Sequence, residues 1–259
     1  MPGAIAAFFD IDNTMVRGAS LFHLARGMHE RGMLSKVDLA SAGAKQARFL
    51  LRGSENPSDR IAAMQSALSF VAGRDVDEVT AVGSEIFDDR MINKLWPGTL
   101  ELARAHVAAG HQVWLVSATP NELANLMALR LGFAGGLGTS AEITEGRYTG
   151  RLLDVPLHGA TKAQAIAEFA SANQIDLTRS YAYSDSVNDV PLLELVGNPV
   201  AINPDGPLRA HAKTRGWPIE DFRRRRMRQM SITGAASAVG AAVAIGVIAS
   251  AAHKRAVRT

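Results

Sequence analysis

The 259-residue sequence contains no cysteine. Disulfide bonds and thiolate metal sites are therefore excluded, and the composition fits a protein of the cytosol. Charged residues are also scarce and make up 20% of the chain, whereas 47% of the residues are hydrophobic. This amount of apolar side chain is enough to form the core of one large domain or of two modest ones. The apolar run 4–9 is short, lacks a basic start and leads into acidic residues, so we expect no secretory signal.

Acidic residues are absent from the last part of the chain. Residues 223–259 hold eight Lys or Arg and no Asp or Glu, which leaves 20 basic and 25 acidic residues in 1–222. The body therefore carries a formal charge of −5, although the whole chain carries +3. This asymmetry predicts that the tail meets an acidic surface, either a membrane or nucleic acid, while the body has no basic excess with which to wrap nucleic acid.

Short apolar runs alternate with helical patterns along most of the chain. The pattern predicts buried strands at 4–9, 112–116, 180–184 and 199–202. It predicts helices at 97–109, 120–131, 161–172 and 188–196, and a hairpin over 142–153 that turns near Glu145-Gly146. Such alternation is typical of an α/β fold with a doubly wound, mostly parallel sheet and helices on both faces.

Residues 18–92 interrupt this alternation, because they are rich in helical patterns with Gly or Pro breaks. We interpret them as a helical cap, inserted after the first strand and lying over the carboxyl edge of the sheet. The predicted domains are thus a catalytic core of 1–17 and 93–222, a cap of 18–92 and a basic tail of 223–259.

Two carboxylates follow the first predicted strand, in Asp10-Ile11-Asp12-Asn13-Thr14. Residues i and i+2 of an extended chain point to the same side, and open α/β sheets bind ligands at this edge. Two like charges so close need a cation, and oxygen ligands select Mg²⁺. The alternative is an acidic turn that merely follows a strand.

The second predicted strand ends in Val116-Ser117-Ala118-Thr119-Pro120. Pro120 suits the first turn of a helix and Thr119 suits its cap, which would place the Ser117 hydroxyl and free N–H groups at a helix N-terminus, a ready anion site. Lys162 opens another predicted helix, where a cation is unfavourable unless an anion lies nearby. An ordinary capped helix and a solvated lysine are the alternatives.

The third predicted strand leads into Ser184-Asp185-Ser186-Val187-Asn188-Asp189. Two further carboxylates and an amide therefore follow another strand end. Asn188 or Asp189 would also suit the cap of the next helix, which is the alternative interpretation.

Taken in order, these motifs resemble those of the haloacid dehalogenase-like superfamily, subfamily IB, in its phosphoserine phosphatase-like branch. Asp10-x-Asp12-x-Thr14 matches the first motif, Ser117 the second, Lys162 the third and Asp185-x-x-Asn188-Asp189 the fourth. The helical insertion after the first motif also looks like that branch. The resemblance covers roughly residues 4–210.

The resemblance implies a Mg²⁺-dependent phosphohydrolase with Asp10 as nucleophile and Asp12 as general acid and base. It implies that Mg²⁺ is held by the Asp10 carboxylate, the Asp12 backbone carbonyl and Asp185. The phosphate-binding residues it implies are Ser117, Ala118, Lys162 and Asn188. Asp189 and Thr14 would hold these residues in position without binding the phosphate or Mg²⁺ themselves, and Asp189 would orient water or Lys162.

One position departs from the pattern of phosphoserine phosphatases. Ala19 stands at the position where those enzymes have a Glu that binds the ammonium group of the phosphoserine substrate. Phosphoserine specificity is therefore not expected, although the chemistry looks intact. The insertion offers His23, Arg26, Arg48 and Arg52, which could meet a second acidic group but equally suit solvated helix faces.

Residues 231–252 contain no charged side chain, and 22 helical residues span ~33 Å, about one hydrocarbon core. The stretch is only weakly apolar, so a low-complexity tail is the alternative to a membrane helix. The heavier basic cluster lies on the catalytic side, which would keep the enzyme cytoplasmic at the inner face of the membrane.

Three functions remain open on the sequence. The first is a Mg²⁺-dependent phosphatase of a small phosphorylated metabolite, and the second is the same chemistry on a lipid phosphate at the membrane. The third is a catalytically idle, membrane-bound interaction module, which the complete set of acids, serine and lysine argues against.

Overall fold

The computed structural model describes residues 3–37, 61, 64–65 and 68–223. The chain divides into two compact units, Met1–Glu220 and Asp221–Thr259. Arg48, Arg52 and the predicted apolar helix 231–252 lie outside the described residues. Within the described ranges, no helix has the length and apolarity needed to cross a bilayer. The domain boundaries given above stay predictions.

The first unit is built on a parallel sheet. The strands in chain order are β1 Ala6–Asp10, β2 Gln112–Pro120, β3 Gly135–Thr139, β4 Ala141–Thr144, β5 Arg147–Leu152, β6 Tyr181–Ser184, β7 Asn198–Ile202 and β8 Ile219–Glu220. Six of them form the parallel sheet, in the order β3-β2-β1-β6-β7-β8, and β4 pairs with β5 as the predicted antiparallel hairpin.

Helices connect these strands. They are α1 Ser20–Glu30, α2 Val76–Ile86, α3 Pro97–Ala108, α4 Asn121–Arg130, α5 Ala160–Ala172, α6 Val190–Leu195 and α7 Gly206–Arg215. Short turns of other helix types are Ser69–Val71, Phe87–Met91, Ile92–Lys94 and Val187–Asp189. The α/β class, the parallel sheet and the helical insertion after the first strand are thereby confirmed, whereas β3, β8 and α7 were not predicted.

The central strand is β1, whose five residues are all buried. It pairs with β2 on one side and β6 on the other, so the strand order reverses at this point. Open α/β sheets bind ligands outside the carboxyl ends of the strands at such a reversal. The fold therefore places the end of β1, which is Asp10, at the preferred ligand site of the sheet.

Apolar side chains pack on both faces of the sheet. One face forms a cluster with α5, α6 and α7 that includes Phe8, Ile166, Leu192 and Leu208. On the strands β1 and β6, Phe9 stacks on Tyr183 with ring centroids 4.1 Å apart. The Tyr183 hydroxyl shares a hydrogen bond of 2.6 Å with Nε2 of His106, so α3 is fixed to β6 by a polar contact inside an aromatic cluster.

The edge strand β3 packs very closely against α4. A Cβ atom built on Gly136 would lie 2.2 Å from the carbonyl carbon of Ala124 and 2.4 Å from the backbone nitrogen of Asn125. The Asn125 side chain also accepts a hydrogen bond from the Gly136 N–H, at 3.2 Å. Only glycine permits this approach, which holds α4 against the sheet beside the end of β2.

Gly136→Ala is expected to lower the free energy of unfolding by about 2–3 kcal/mol, because the added methyl group meets backbone atoms that must shift. Gly83→Ala is the matched control, since a Cβ there would make ordinary contacts of 3.8 Å with Leu126 and 4.0 Å with Leu24. The control should be neutral or stabilising by up to about 1 kcal/mol, because alanine is favoured within α2. Denaturant unfolding of both variants tests this, and equal stabilities would contradict the packing argument.

Candidate active site

The ends of three neighbouring strands bring the predicted residues to one edge of the sheet. Asp10 ends β1 and pairs in register with Val116, so Ser117 of β2 lies one residue further along the adjacent strand. On the other side, Phe9 pairs with Tyr183, which places Ser184 at the matching end of β6 and Asp185 just past it. The three motifs of the sequence therefore meet at the reversal of strand order.

Lys162 contacts the carboxylate at the end of β1 and a carboxylate in the turn that follows β6. Its ammonium Nζ donates to Asp10 Oδ1 at 2.6 Å and to Asp189 Oδ2 at 2.7 Å. All three residues are buried, with Lys162 only 2% exposed. The Ser184 hydroxyl donates a second hydrogen bond to Asp189 Oδ2, at 2.7 Å. A solvated lysine is therefore excluded, and Asp189, although it stands at the N-cap position of α6, makes no capping hydrogen bond.

Burial and charge act against each other within this group. The pKa of Asp10 is raised to about 7, because burial and the neighbouring Asp189 and Asp12 together outweigh the lowering effect of Lys162. Burial would lower the pKa of Lys162, but Asp10 and Asp189 together hold this pKa above its usual value. Lys162 is therefore held in its ammonium form, and it shares the site with three carboxyl groups, those of Asp10, Asp12 and Asp189.

The loop after β1 turns sharply and fixes the first motif. Asn13 has φ of 63°, a left-handed conformation that asparagine tolerates better than most residues. Its side chain accepts the Gly18 N–H at 3.2 Å, which closes the loop. Behind the loop, the buried Thr14 hydroxyl donates to Asp185 Oδ1 at 3.4 Å. Thr14 thus links the first and fourth motifs.

Asp12 is directed toward the start of α1. Its Oδ1 accepts the Ser20 N–H at 2.8 Å, and the Ser20 hydroxyl shares a hydrogen bond of 2.9 Å with the Thr119 hydroxyl. Burial raises the pKa of Asp12, whereas hydrogen bonds from the side chain and backbone of Ser20 lower it. A carboxyl with a raised pKa suits a group that must both give and take a proton.

The prediction that Thr119 caps the following helix is wrong. Strand β2 continues through Pro120, α4 begins at Asn121, and no side chain caps that helix. The Thr119 hydroxyl is instead engaged with Ser20, and the Thr119 N–H donates to Ser117 Oγ at 3.1 Å. Sequence reasoning missed Ser20 and Thr119 as members of the site, because a Ser at a helix start resembles an ordinary cap.

Some predicted residues stand apart from the Asp10–Lys162 pair. Asn188 is exposed, and its amide donates to Ser186 Oγ at 3.1 Å rather than to the pair. The Ala118 carbonyl accepts a hydrogen bond of 2.6 Å from the Thr139 hydroxyl, beside Ser117. The structure thus places Ala118 within β2 beside Ser117, whereas Asn188 lies on the solvent-exposed side.

Two cap residues that could have met a second acidic group already have partners. The His23 ring shares a hydrogen bond of 2.8 Å with the Arg17 carbonyl, and burial lowers the pKa of His23. The exposed Arg26 pairs with Glu30 at 3.4 Å, one turn along α1. Both therefore fit the simpler interpretation of groups satisfied on the surface of a helix.

The donor atoms of the site fit a hard divalent cation. Asp10 and Asp185 offer carboxylate oxygens beside the Asp12 backbone, and oxygen-only sets of this kind suit Mg²⁺. The surplus of buried carboxylates over Lys162 is the electrostatic environment that such an ion would neutralise. Among the described residues, no three His, Asp or Glu side chains converge as a metal site. The predicted set differs from such a cluster because one of its three ligands is a backbone carbonyl.

Comparison with known proteins agrees with this geometry. A family model described as haloacid dehalogenase-like hydrolase matches residues 7–194. Phosphoserine phosphatase SerB1 of Mycobacterium tuberculosis is 47% identical over 250 residues, which cover 96% of this chain and 80% of that protein.

Solved structures share the fold. The crystal structure of a protein of unknown function from Bordetella pertussis Tohama I matches with a TM-score of 0.75 at 29% identity, covering 85% of this chain and 99% of that one. A phospho-aspartyl intermediate analogue of phosphoserine phosphatase matches with a TM-score of 0.58 at 17% identity, covering 86% and 97%. The chain therefore belongs to the haloacid dehalogenase-like hydrolases, and it is a phosphatase of their phosphoserine phosphatase-like branch.

Proposed function

We propose that this chain hydrolyses phosphate monoesters through an aspartyl-phosphate on Asp10, with Mg²⁺ as its cofactor. The observation that carries the proposal is the contact of Asp10 Oδ1 with the buried Lys162 ammonium, 2.6 Å away, at the point where three strand ends meet. A lysine buried at this place provides a fixed positive charge for a phosphate group. The structural relative that bears a phospho-aspartyl intermediate analogue supports the same chemistry.

The proposed reaction has two steps. In the first, a carboxylate oxygen of Asp10 forms a bond to phosphorus while the ester P–O bond breaks, and the leaving oxygen takes its electron pair and the proton of Asp12. In the second, a water molecule attacks phosphorus and gives its proton to Asp12. The bond between phosphorus and the Asp10 oxygen then breaks, which returns the carboxylate and releases inorganic phosphate.

The other residues of the site hold the phosphate and the ion. Lys162, the Ser117 hydroxyl and the backbone of Ala118 would bind phosphate oxygens, and Asp189 keeps Lys162 in place. Mg²⁺, when bound by Asp10, Asp185 and the Asp12 carbonyl, would supply positive charge that offsets the charge of the phosphate. Asn188 would reach the phosphate from the solvent side of the pocket.

The proposed substrate is a small phosphorylated metabolite. The name of the Mycobacterium tuberculosis relative favours phosphoserine. Against it stands Ala19, because an alanine offers no charge to the ammonium group of a zwitterionic substrate. We therefore propose that phosphoserine is not the preferred ester.

A lipid phosphate at the membrane is the second candidate substrate. It depends on residues 223–259, whose basic clusters flank an uncharged stretch. The alignment with the Mycobacterium tuberculosis relative covers 96% of this chain and so extends well into the tail. The support for a lipid substrate is the charge pattern of the tail sequence.

The nucleophile is tested by Asp10→Asn, which should lower kcat on an aryl phosphate by at least about 10⁴-fold, because an amide cannot form the acyl-phosphate. Asp154→Asn, a change at an exposed loop position, is the matched control and should retain wild-type activity. Circular dichroism establishes that both variants are folded. An Asp10→Asn enzyme within tenfold of the wild type would exclude Asp10 as nucleophile.

The ligand assignment predicts different effects at two carboxylates. Asp185→Asn should weaken Mg²⁺ binding by tenfold or more, because a direct carboxylate ligand is lost. Asp12→Asn should change the affinity by less than about threefold, because the proposed ligand there is a backbone carbonyl and the side chain accepts the Ser20 N–H. Calorimetric titration with Mg²⁺ measures both, and an equal loss would show that the assignment is wrong.

The substrate proposal predicts the ranking of a panel of esters. Phosphoserine should not exceed sugar phosphates, nucleotides and lysophosphatidic acid in kcat/KM, and Ala19→Glu should raise its relative kcat/KM by about tenfold, because an acid then faces the ammonium group. Ala19→Gln, similar in size but uncharged, is the control. If wild-type enzyme prefers phosphoserine by more than tenfold, the argument from Ala19 fails, while preference for lysophosphatidic acid supports the lipid candidate.

A further inference from the structure

A chain of buried hydrogen bonds connects Asp12, the proposed general acid, to Ser117, a proposed phosphate-binding residue of β2. It runs from Asp12 Oδ1 to the Ser20 N–H at 2.8 Å, then between the hydroxyls of Ser20 and Thr119 at 2.9 Å. The Thr119 N–H completes it by donating to Ser117 Oγ at 3.1 Å. Ser20 and Thr119 are 0% and 2% exposed, so no water competes for these contacts.

Ser20 is the link on which the orientation of Asp12 depends. It is the first residue of α1, the helix that begins the insertion, and the preceding Ala19 makes no side-chain capping bond. The Ser20 hydroxyl therefore ties the start of α1 to β2, and this contact aims the Ser20 N–H at the Asp12 carboxylate. A carboxyl that must deliver a proton to a leaving oxygen works only while it is held in position.

We propose that Ser20 is a positioning residue for Asp12, and that its hydroxyl, itself held by Thr119, keeps the carboxyl in line with the leaving oxygen. The proposal rests on the function proposed above, because it requires Asp12 to be the general acid. It assigns to Ser20 no contact with the substrate. Its consequence is that loss of the hydroxyl impairs proton transfer to the leaving group rather than phosphate binding.

Leaving-group dependence separates this role from a merely structural one. An alkoxide is a poor leaving group and needs the proton of Asp12, whereas a dinitrophenolate leaves well without it. The parameter kcat/KM reports the steps up to formation of the aspartyl-phosphate, in which Asp12 acts as the acid. Impaired proton transfer from Asp12 to the leaving oxygen therefore lowers kcat/KM for an alkyl phosphate much more than for dinitrophenyl phosphate.

The experiment compares Ser20→Ala with wild-type enzyme on these two esters. We expect kcat/KM for the alkyl phosphate to fall about tenfold, the change that corresponds to one lost hydrogen bond, and that for dinitrophenyl phosphate by less than threefold. Thr119→Val should give the same selective loss, the double variant should lose no more than either alone, and Ser20→Thr should restore the activity. Equal losses on the two esters would overturn the proposal.

Two further variants keep the outcome interpretable. Ser180→Ala removes another buried hydroxyl, which accepts the Ala6 N–H at 3.0 Å and donates to the Asp176 carbonyl at 2.7 Å before the start of β6. This control should lower stability without changing the ratio of the two esters. Asp12→Asn should show the selective loss more strongly. If Asp12→Asn shows no selectivity, the role of Asp12 in the proposed function fails; if only Ser20→Ala lacks it, the inference about Ser20 fails.

Discussion

The structure of this site depends on one ammonium group buried between two carboxylates. Transfer of a lysine from water into a protein interior costs several kcal/mol unless opposite charges surround it. Asp10 and Asp189 supply those charges at 2.6 and 2.7 Å, and they come from β1 and from the turn after β6. Lys162 thereby fixes the first turn of α5 against the sheet. The same contact explains why a lysine tolerates a helix start, where the helix dipole disfavours a cation.

The order of the strands places this ion pair next to the other polar residues of the site. Because β1 lies between β2 and β6, the residues that follow these three strands converge without any long loop. Ser117 then lies beside Asp10 on one side, and Asp185 lies beside it on the other. The resulting pocket is rich in carboxylates and has a single buried lysine, which fits the joint binding of a divalent cation and a phosphate group.

Much of this arrangement could be predicted from the sequence, because polar motifs after apolar runs mark strand ends. The apolar run 4–9 and its acidic continuation located the central strand, which the structure has as Ala6–Asp10, and the carboxylate at its end. Strand β3 was missed because Gly135, Gly136 and Gly138 give it a low β propensity. Gly136 and Gly138 serve the close approach to the start and middle of α4, and Gly135 leaves room for the Trp114 ring of β2, which only tertiary contacts reveal. The two-residue strand β8 is too short for any periodic pattern.

The site shows the same limit of sequence reasoning. Lys162 was placed correctly at the start of a helix, but nothing in the sequence shows that it contacts both Asp10 and Asp189. Thr119 was expected to cap a helix, because local spacing favours a cap and cannot reveal Ser20, which lies 99 residues away in the chain.

In the proposed reaction, Asp10 carries the phosphoryl group during turnover. The direct measurement is rapid acid quenching of the enzyme during hydrolysis of a radiolabelled phosphate ester with Mg²⁺, followed by peptide mapping. We expect one label, sensitive to hydroxylamine as an acyl-phosphate should be, on the N-terminal peptide that contains Asp10. Label on another residue, or turnover with a burst of product and no labelled peptide, would contradict it.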